Sequence, residues 1–295
     1  FAQVLINIFP TNPISAMAEG KMLQIIVFAL LLGVAINHSG AAGERLKATF
    51  EDWNAVVMKL VTMLMKLAPF GVFALLFNIV ATLGIDAITK LGVYFLTVVL
   101  VLVIHACVVY PSLLVALAKL NPVIFFTKMR NVQLFAFSTA SSNATLPITM
   151  RAVEDRLGVD NRIASFSLPL GATLNMDGTA IMQGVATVFI AQAYGIDLSA
   201  IDYLTVIATA TLASIGTAGV PGVGLVMLSL VLTQVGLPVE GIALIIGVDR
   251  LLDMLRTAVN VTGDATVSCI VAKSENQFDQ SRFDDMDAGL VEDRV

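Results

Sequence analysis

The chain consists of long apolar runs separated by short polar interruptions. The runs cover residues 22–36, 55–83, 91–117 and 203–232, with further apolar stretches at 161–194 and 241–272. A helix needs about 20 predominantly apolar residues to cross a bilayer, and most of these runs reach that length. The pattern predicts an all-α polytopic membrane protein.

Composition agrees with this prediction. Hydrophobic residues make up 57% of the chain and charged residues only 13%, whereas an ordinary soluble domain carries about 25% charged residues. Mean hydropathy is +0.88. So few charges cannot cover the surface of a soluble domain, which excludes that class. We expect the protein to be embedded in the lipid bilayer and to have no nucleic acid as a partner.

Basic residues indicate how the chain crosses the membrane, because lysine and arginine accumulate on cytoplasmic loops. One basic cluster covers 119–130 and another covers 151–162, with the polar stretch FSTASSNATLP, residues 137–147, between them. If residues 131–150 crossed the bilayer, the two clusters would face opposite sides. The rule therefore favours a re-entrant hairpin at 121–155 over a polar surface loop.

A second polar interruption has the opposite charge environment. The loops 195–202 and 234–240 carry acidic residues and no basic one, which predicts that both lie outside. The stretch between them is broken by SIGTAGVPGVG, residues 214–224. We therefore predict a second re-entrant hairpin at 199–235, entering from the other face. Each hairpin precedes one full span, at 161–195 and 238–273, which predicts an inverted repeat with two tips near the midplane.

The last span carries a polar stripe along one helix face. Its members are spaced by 4, 3, 4 and 4 residues and fall within about 80° of one another: Asp249, Asp253, Arg256, Asn260 and Asp264. A salt-bridge ladder would explain Asp253 and Arg256. It does not explain Asp264, which has no basic neighbour within helical reach, so we predict that a cation compensates Asp264.

The preceding span contains PLGATLNMDGTA, residues 169–180. Asn175, Asp177 and Gly178 are poor helix formers, so we predict that the helix unwinds there and frees its carbonyls. A helix cap or turn is the alternative interpretation. Carboxylate and carbonyl oxygens suit a hard cation such as Na⁺.

Three motifs in this order resemble the dicarboxylate/amino acid:cation symporter family, which contains the glutamate transporters. They are NMDGT, SIGTAGVPG and the closing D-x-x-R-T-x-x-N-x-x-G-D pattern. The resemblance covers residues 1–273 and implies a bacterial-type member that lacks the first three transmembrane segments, in keeping with a first residue other than Met. It also implies a multi-pass homotrimer of the bacterial inner membrane that moves its substrate by an elevator mechanism.

The domain organisation follows from the same resemblance. Residues 1–83 correspond to part of the scaffold and trimerisation region, with the fourth and fifth segments. Residues 84–273 correspond to the transport domain, which begins with the sixth segment. Residues 274–295 are acidic and lack apolar periodicity, so we predict a disordered cytoplasmic tail.

The resemblance also implies a substrate site. In it, Arg256 and Thr179 receive the substrate side-chain carboxylate, while Asp253 and Thr257 receive the ammonium. Asn260 and the backbone at Ser142 receive the α-carboxylate. Further implied members come from the two tips: Ser141 and Asn143 from the first, and Val220 and Gly224 from the second. The first tip departs from the common triple-serine form because Asn143 replaces a serine.

Cation sites are implied in the same way. One consists of Gly171, Asn175, Asn260 and Asp264. A second consists of Thr173, Ser214, Ile215 and Thr217, mainly through backbone oxygens. A third contains Asn175 and Asp177 and also needs residues from the absent third segment. The coupling ion is Na⁺, with H⁺ as the alternative.

Other function classes fit the residues less well. An intramembrane hydrolase using Ser141 or Ser142 would need a nearby activating base, and the sequence offers none, so we do not expect an enzyme. A channel would conduct without ion-driven substrate uptake. Within transporters, a C4-dicarboxylate is the alternative substrate, but it gains nothing from a buried Asp253. We therefore predict a symporter of aspartate or glutamate.

Overall fold

The computed structural model describes residues 9–18, 22–65, 70, 73–74, 77, 85–215 and 219–289. The chain divides into two compact units, residues 1–81 and 82–295. Helices account for the regular structure of the described residues, and the only β pairing among them is an isolated bridge between Val159 and Phe278. The prediction of an all-α chain is confirmed for this part of the sequence.

The first unit contains α1 (Pro13–Ala18), α2 (Met22–His38) and α3 (Gly40–Met65). Asn12 caps α1, since its Oδ1 accepts a hydrogen bond from the N–H of Ile14 at 3.0 Å. The apolar run 22–36 lies within α2. The run 55–83 lies partly in α3, and most of its remainder is outside the described residues.

The second unit begins with α4 (Ile85–Ile104), which continues through two π-helical turns, His105–Val109 and Leu114–Ala118. Within the described residues, the 30-residue helical stretch Thr89–Ala118 is long and apolar enough to cross a membrane. It contains the predicted run 91–117. Shorter apolar helical stretches occur at Val27–His38, Ala200–Ser214 and Val223–Gln234.

Eight further helices follow in the described part of the second unit. They are α5 (Pro122–Thr139), α6 (Ser142–Arg151), α7 (Asn161–Leu174), α8 (Asp177–Ala193), α9 (Ala200–Ile215), α10 (Val223–Gln234), α11 (Ile242–Ser274) and α12 (Gln280–Asp284). A π-helical turn, Ala152–Arg156, extends α6, and a 3₁₀ turn, Val239–Gly241, precedes α11.

Two of the helix pairs occupy the ranges predicted for the hairpins. The pair α5 and α6 is joined at Ala140, whose backbone is left-handed with φ 50°, and at Ser141. Ser141 Oγ caps α6 by accepting a hydrogen bond from the N–H of Ala144 at 3.2 Å. The pair α9 and α10 has Gly222 before its second helix, with φ 81°. The described residues between the two helices of each pair are thus Ala140 and Ser141 in the first pair and residues 219–222 in the second.

The predicted helix break near Asn175 is present. Helix α7 ends at Leu174, α8 begins at Asp177, and Asn175 and Met176 between them have non-helical backbone angles. Inside the protein, the break leaves backbone carbonyl groups at the end of α7 and backbone N–H groups at the start of α8 without partners in their own helix.

Helix α11 is the centre of the second unit. It packs against α4, α5, α7 and α8, and it buries most of the predicted polar stripe together with apolar neighbours. The surrounding core includes Leu114, Phe125, Met129, Leu168 and Ala265.

The beginning of the predicted disordered tail is folded. After α11 the chain reverses at Asn276, with φ 56°, and α12 packs against α5. Phe283 of α12 is fully buried, and its ring lies 5.6 Å from that of Phe278 in a tilted arrangement. The prediction of disorder rests on the excess of acidic residues, whereas buried aromatic side chains help to anchor the segment. Residues 290–295 lie outside the described residues.

The packing of α7 on α11 generates a prediction. A Cβ atom on Gly171 would lie 2.5 Å from Asp264 Oδ1, whereas a Cβ on Gly184 in α8 would meet nothing within 4 Å. We expect Gly171→Ala to lower stability by about 1–3 kcal/mol through overpacking. Gly184→Ala should be neutral or stabilising by up to about 1 kcal/mol, because alanine favours a helix. Thermal unfolding in detergent measures both, and equal midpoints for the two variants would contradict the close approach.

Candidate functional site

A closed pocket lies between the two tips, the α7–α8 break and the middle of α11. Its cavity measures about 10 Å³, at the lower limit for one water molecule. The lining residues are Ala140, Ser142, Met176, Thr179, Gly219, Val220, Gly224, Asp253, Thr257 and Asn260. An amino acid therefore enters only if the walls separate. Most of the predicted substrate residues are brought together here.

Arg256 lies immediately behind the pocket lining, where it pairs with Asp253. Its Nη1 donates to Asp249 Oδ1 at 2.9 Å and its Nη2 donates to Asp253 Oδ1 at 2.8 Å. The side chain of Arg256 is only 1% exposed. The ion pairs of the alternative interpretation, a salt-bridge ladder, are thus formed beside the pocket. Each terminal nitrogen of the guanidinium has one carboxylate partner, so a ligand carboxylate would have to replace or share one of them.

Asp253 also connects α11 to the second tip. Its Oδ2 accepts a hydrogen bond from the N–H of Gly222 at 3.0 Å. A Cβ on Gly224 would lie 3.3 Å from Arg256 Nη2 and equally close to Thr179. The second tip therefore lies directly over the charged groups, and its glycines permit that close approach.

The two tips are bonded to each other through one backbone carbonyl. Ser141 Oγ donates to the carbonyl oxygen of Gly219 at 2.7 Å, and the N–H of Asn143 donates to the same oxygen at 3.2 Å. Of the three predicted residues in the first tip, Ser142 lines the pocket. Ser141 and Asn143 instead hold the tips together.

Asn260 is positioned by the α7–α8 break. Its Oδ1 accepts a hydrogen bond from the N–H of Gly178 at 2.8 Å, and its Nδ2 lies 3.1 Å from Met176 Sδ. Its carbonyl oxygen accepts from Asn175 Nδ2 at 3.3 Å. Asn260 thus joins the pocket to the broken helix.

Asp264 lies one turn further along α11 and is 4% exposed. It accepts a hydrogen bond from Asn175 Nδ2 at 2.9 Å, and Gly171 packs directly against its carboxylate. No lysine, arginine or histidine forms an ion pair with it among the described residues. A buried carboxylate with one amide donor needs a proton or a cation to be tolerated. Gly171, Asn175, Asn260 and Asp264 are therefore neighbours.

Asp177 has partners that the sequence analysis missed. Its Oδ2 lies 2.7 Å from His105 Nε2, and it accepts a hydrogen bond from the hydroxyl of Tyr110 at 2.5 Å. Tyr110 also donates to the carbonyl oxygen of Val259 at 3.0 Å. His105 begins the first π-helical turn after α4, and Tyr110 directly follows that turn. Helical turns of this kind often occur at functional sites. A lone histidine in an apolar run was the available signal in the sequence.

The structure does not show the residues of the second predicted cation site gathered around one point. The hydroxyl of Thr173 is bonded to the carbonyl oxygen of Leu170 at 2.9 Å, and that of Ser214 to the carbonyl oxygen of Thr211 at 2.8 Å. Each therefore bonds within its own helix. Thr217 and the side chain of Ile215 lie outside the described residues.

Comparison with known proteins identifies the family. Residues 1–274 match the model of the Sodium:dicarboxylate symporter family. The chain is 44% identical over 253 residues to an excitatory amino acid transporter of Caenorhabditis elegans, covering 85% of this chain and 50% of that protein. It is 43% identical over 260 residues to excitatory amino acid transporter 2 of Mus musculus, covering 86% of this chain and 46% of that protein.

A third relative is excitatory amino acid transporter 1 of Ambystoma tigrinum. It is 40% identical over 284 residues, which cover 95% of this chain and 52% of that protein. The chain thus spans about half the length of the curated relatives it matches. The family consists of transporters and not of enzymes. From the motifs, the buried charged stripe and these matches, we conclude that the chain belongs to the sodium:dicarboxylate symporter family.

Proposed function

We propose that this chain binds an acidic amino acid, aspartate or glutamate, and couples its uptake to Na⁺. The observation that carries the proposal is the buried Arg256–Asp253 pair, in which Asp253 lines the closed pocket and Arg256 lies behind it, with the uncompensated Asp264 nearby. The cation Arg256 and the anion Asp253 match the opposite charges of a zwitterionic substrate. Asp264, a second anion without a basic partner among the described residues, matches a metal ion.

Substrate binding is then an exchange of partners. In the closed pocket Arg256 and Asp253 neutralise each other at 2.8 Å. The side-chain carboxylate of the substrate takes a place on Arg256, and its ammonium takes a place on Asp253. Both protein charges stay compensated, so burying them costs no more with substrate than without it. Arg256 suits a carboxylate because its planar guanidinium can bind one in bidentate fashion.

Asp253 favours an amino acid over a C4-dicarboxylate. A dicarboxylate would occupy Arg256 but supply no ammonium, and Asp253 would then lose its partner inside the protein. Leaving one member of a buried ion pair unpaired costs about 3–5 kcal/mol. The C4-dicarboxylate remains the alternative substrate, since the family takes its name from that class.

Coupling to sodium follows from Asn260. Asp264 shares Asn175 with Asn260, because Asn175 Nδ2 lies within hydrogen-bond distance of Asp264 Oδ1 and of the Asn260 carbonyl oxygen. An ion on Asp264 would therefore order the segment that presents the Asn260 side chain to the substrate α-carboxylate. The alternative, H⁺ coupling, would neutralise Asp264 by protonation and leave no coordinated ion.

The two helix pairs would be re-entrant hairpins of an inverted repeat, at 121–155 and 199–235. Their opposite loop charges support this orientation. Residues 84–273 would move as a transport domain in an elevator-type cycle, against a scaffold to which residues 1–83 contribute. The assembled protein would be a homotrimer in a cell membrane, with the bacterial inner membrane as the expected location.

The membrane orientation can be tested by cysteine accessibility in the full-length protein. Single cysteines at Lys119 and Asn161 should react with an impermeant maleimide from the cytoplasmic side. Cysteines at Ser199 and Glu240 should react from the outside, because both loops lack basic residues. Labelling of Lys119 and Asn161 from opposite faces would exclude the first re-entrant hairpin.

The role of Arg256 can be tested by uptake of radiolabelled aspartate into proteoliposomes, with Na⁺ and H⁺ gradients imposed separately. Wild-type uptake should follow the Na⁺ gradient. Arg256→Ala should lower aspartate affinity by at least about a hundredfold, because a buried charged contact is lost and two carboxylates lose their partner. Arg250→Ala is the matched control, since Arg250 lies on the same helix but is exposed.

Each other outcome of this experiment excludes part of the proposal. Wild-type aspartate affinity in folded Arg256→Ala would refute the substrate role of Arg256. Uptake driven by H⁺ alone would refute sodium coupling. Succinate taken up in preference to aspartate would establish the C4-dicarboxylate alternative.

Asp264→Asn tests sodium coupling. The substitution keeps the shape of the side chain and removes its charge, so sodium affinity should fall by about tenfold or more, and the sodium dependence of aspartate affinity should flatten. Aspartate titrations at several sodium concentrations, with choline holding ionic strength constant, measure the effect. Asp197→Asn, an exposed loop substitution, is the control. An unchanged sodium dependence in Asp264→Asn would show that the ion binds elsewhere.

A further inference from the structure

Lys128 is a buried lysine whose amine has no carboxylate partner among the described residues. It lies in α5, near the base of the first helix pair, and is 1% exposed. Its Nζ donates to the carbonyl oxygens of Arg156 at 2.7 Å, Arg282 at 2.7 Å and Asp285 at 2.8 Å. An ammonium has three donors, and all three are used here. One acceptor belongs to the end of α6 and two belong to the tail that follows α11.

The tail is also bonded to the segment that connects α6 to α7. The N–H of Asp279 donates to the carbonyl oxygen of Gly158 at 2.7 Å, and the N–H of Asp160 donates to the carbonyl oxygen of Gln277 at 3.0 Å. These bonds flank the bridge between Val159 and Phe278. Gly158 has φ +80°, and a Cβ there would lie 2.4 Å from the Asp279 carbonyl oxygen. Glycine is therefore required for this approach.

Phe283 supplies the apolar part of the same contact. Its side chain is fully buried, its ring lies 5.6 Å from that of Phe278, and Lys128 Nζ lies 5.7 Å from its centroid. Burial of the phenylalanine ring removes apolar surface from water, which stabilises the contact. The tail is thus held at three kinds of contact: a lysine with three carbonyls, a backbone bridge and an aromatic anchor.

We propose that residues 275–285 form a strap that fixes the base of the α5–α6 pair to the end of α11. The strap binds α5 at Lys128, the end of α6 at Arg156 and the following loop at Val159, while it is itself continuous with α11. The pocket-lining residue Ser142 is carried by α6, and the pocket-lining residue Asp253 by α11. The strap therefore keeps these two walls of the pocket aligned with each other. Its effect on substrate affinity rests on the function proposed above.

Hydrogen exchange of the full-length protein, without substrate or sodium, tests the strap directly. Phe283→Ala should raise exchange by about tenfold or more in residues 122–131 and 152–160, because their base contact is lost. Lys128→Met removes the ammonium at similar length and should have the same effect. Phe283→Leu, which refills most of the volume, should restore protection. Met286→Ala is the control, because Met286 belongs to the same tail but is exposed.

The outcomes separate the strap from a structural defect and from the proposed function. Unchanged exchange at 122–131 and 152–160 in Phe283→Ala would overturn the strap, and so would a uniform rise that includes α8 and α10. Aspartate affinity should fall by roughly fivefold or more in Phe283→Ala. Raised exchange at 122–131 and 152–160 together with wild-type aspartate affinity would overturn the link between the strap and the pocket wall that carries Ser142. Failure of the wild-type protein to bind either aspartate or glutamate would refute the proposed function, while the exchange result would still decide the strap.

Discussion

The structure depends on placing several charged groups of one helix inside an apolar protein. Transferring an uncompensated charge from water into such an interior costs several kcal/mol or more, so every buried charge on α11 requires a partner. Asp249, Asp253 and Arg256 compensate one another, and Asp253 also binds the second tip. Asp264 has an amide and a glycine beside it. The tips and the broken helix are arranged around these requirements.

The polar stripe could be predicted from the sequence because a helix imposes a fixed angular period. Asp253, Arg256, Asn260 and Asp264 had to share a face once the last span was known to be helical. The break at Asn175 was predictable for a related reason, since its neighbours are poor helix formers. Both inferences use interactions within a few residues along the chain. They position the main groups of the site without any knowledge of how the helices pack.

Contacts between distant segments could not be predicted in this way. His105 and Tyr110 reach Asp177 from another helix, more than sixty positions earlier in the sequence. The helical repeat relates only residues a few positions apart, so it does not connect these side chains. The folded tail was missed for a different reason, because its net charge suggested disorder while Phe283 supplied an anchor that composition does not reveal. Long-range packing therefore decides which polar residues acquire partners.

The bond between the two tips has a consequence for how the pocket opens. Ser141 and Asn143 both donate to the one carbonyl oxygen of Gly219, so the two hydrogen bonds share an acceptor. Asp253 holds the same tip by a separate hydrogen bond, which its Oδ2 accepts from the N–H of Gly222. The second tip is therefore attached at two places, to the first tip at Gly219 and to α11 at Gly222. A movement that breaks only the bonds at Gly219 separates the two tips but leaves the second tip over the charged groups of α11, so full opening also requires Asp253 to release Gly222.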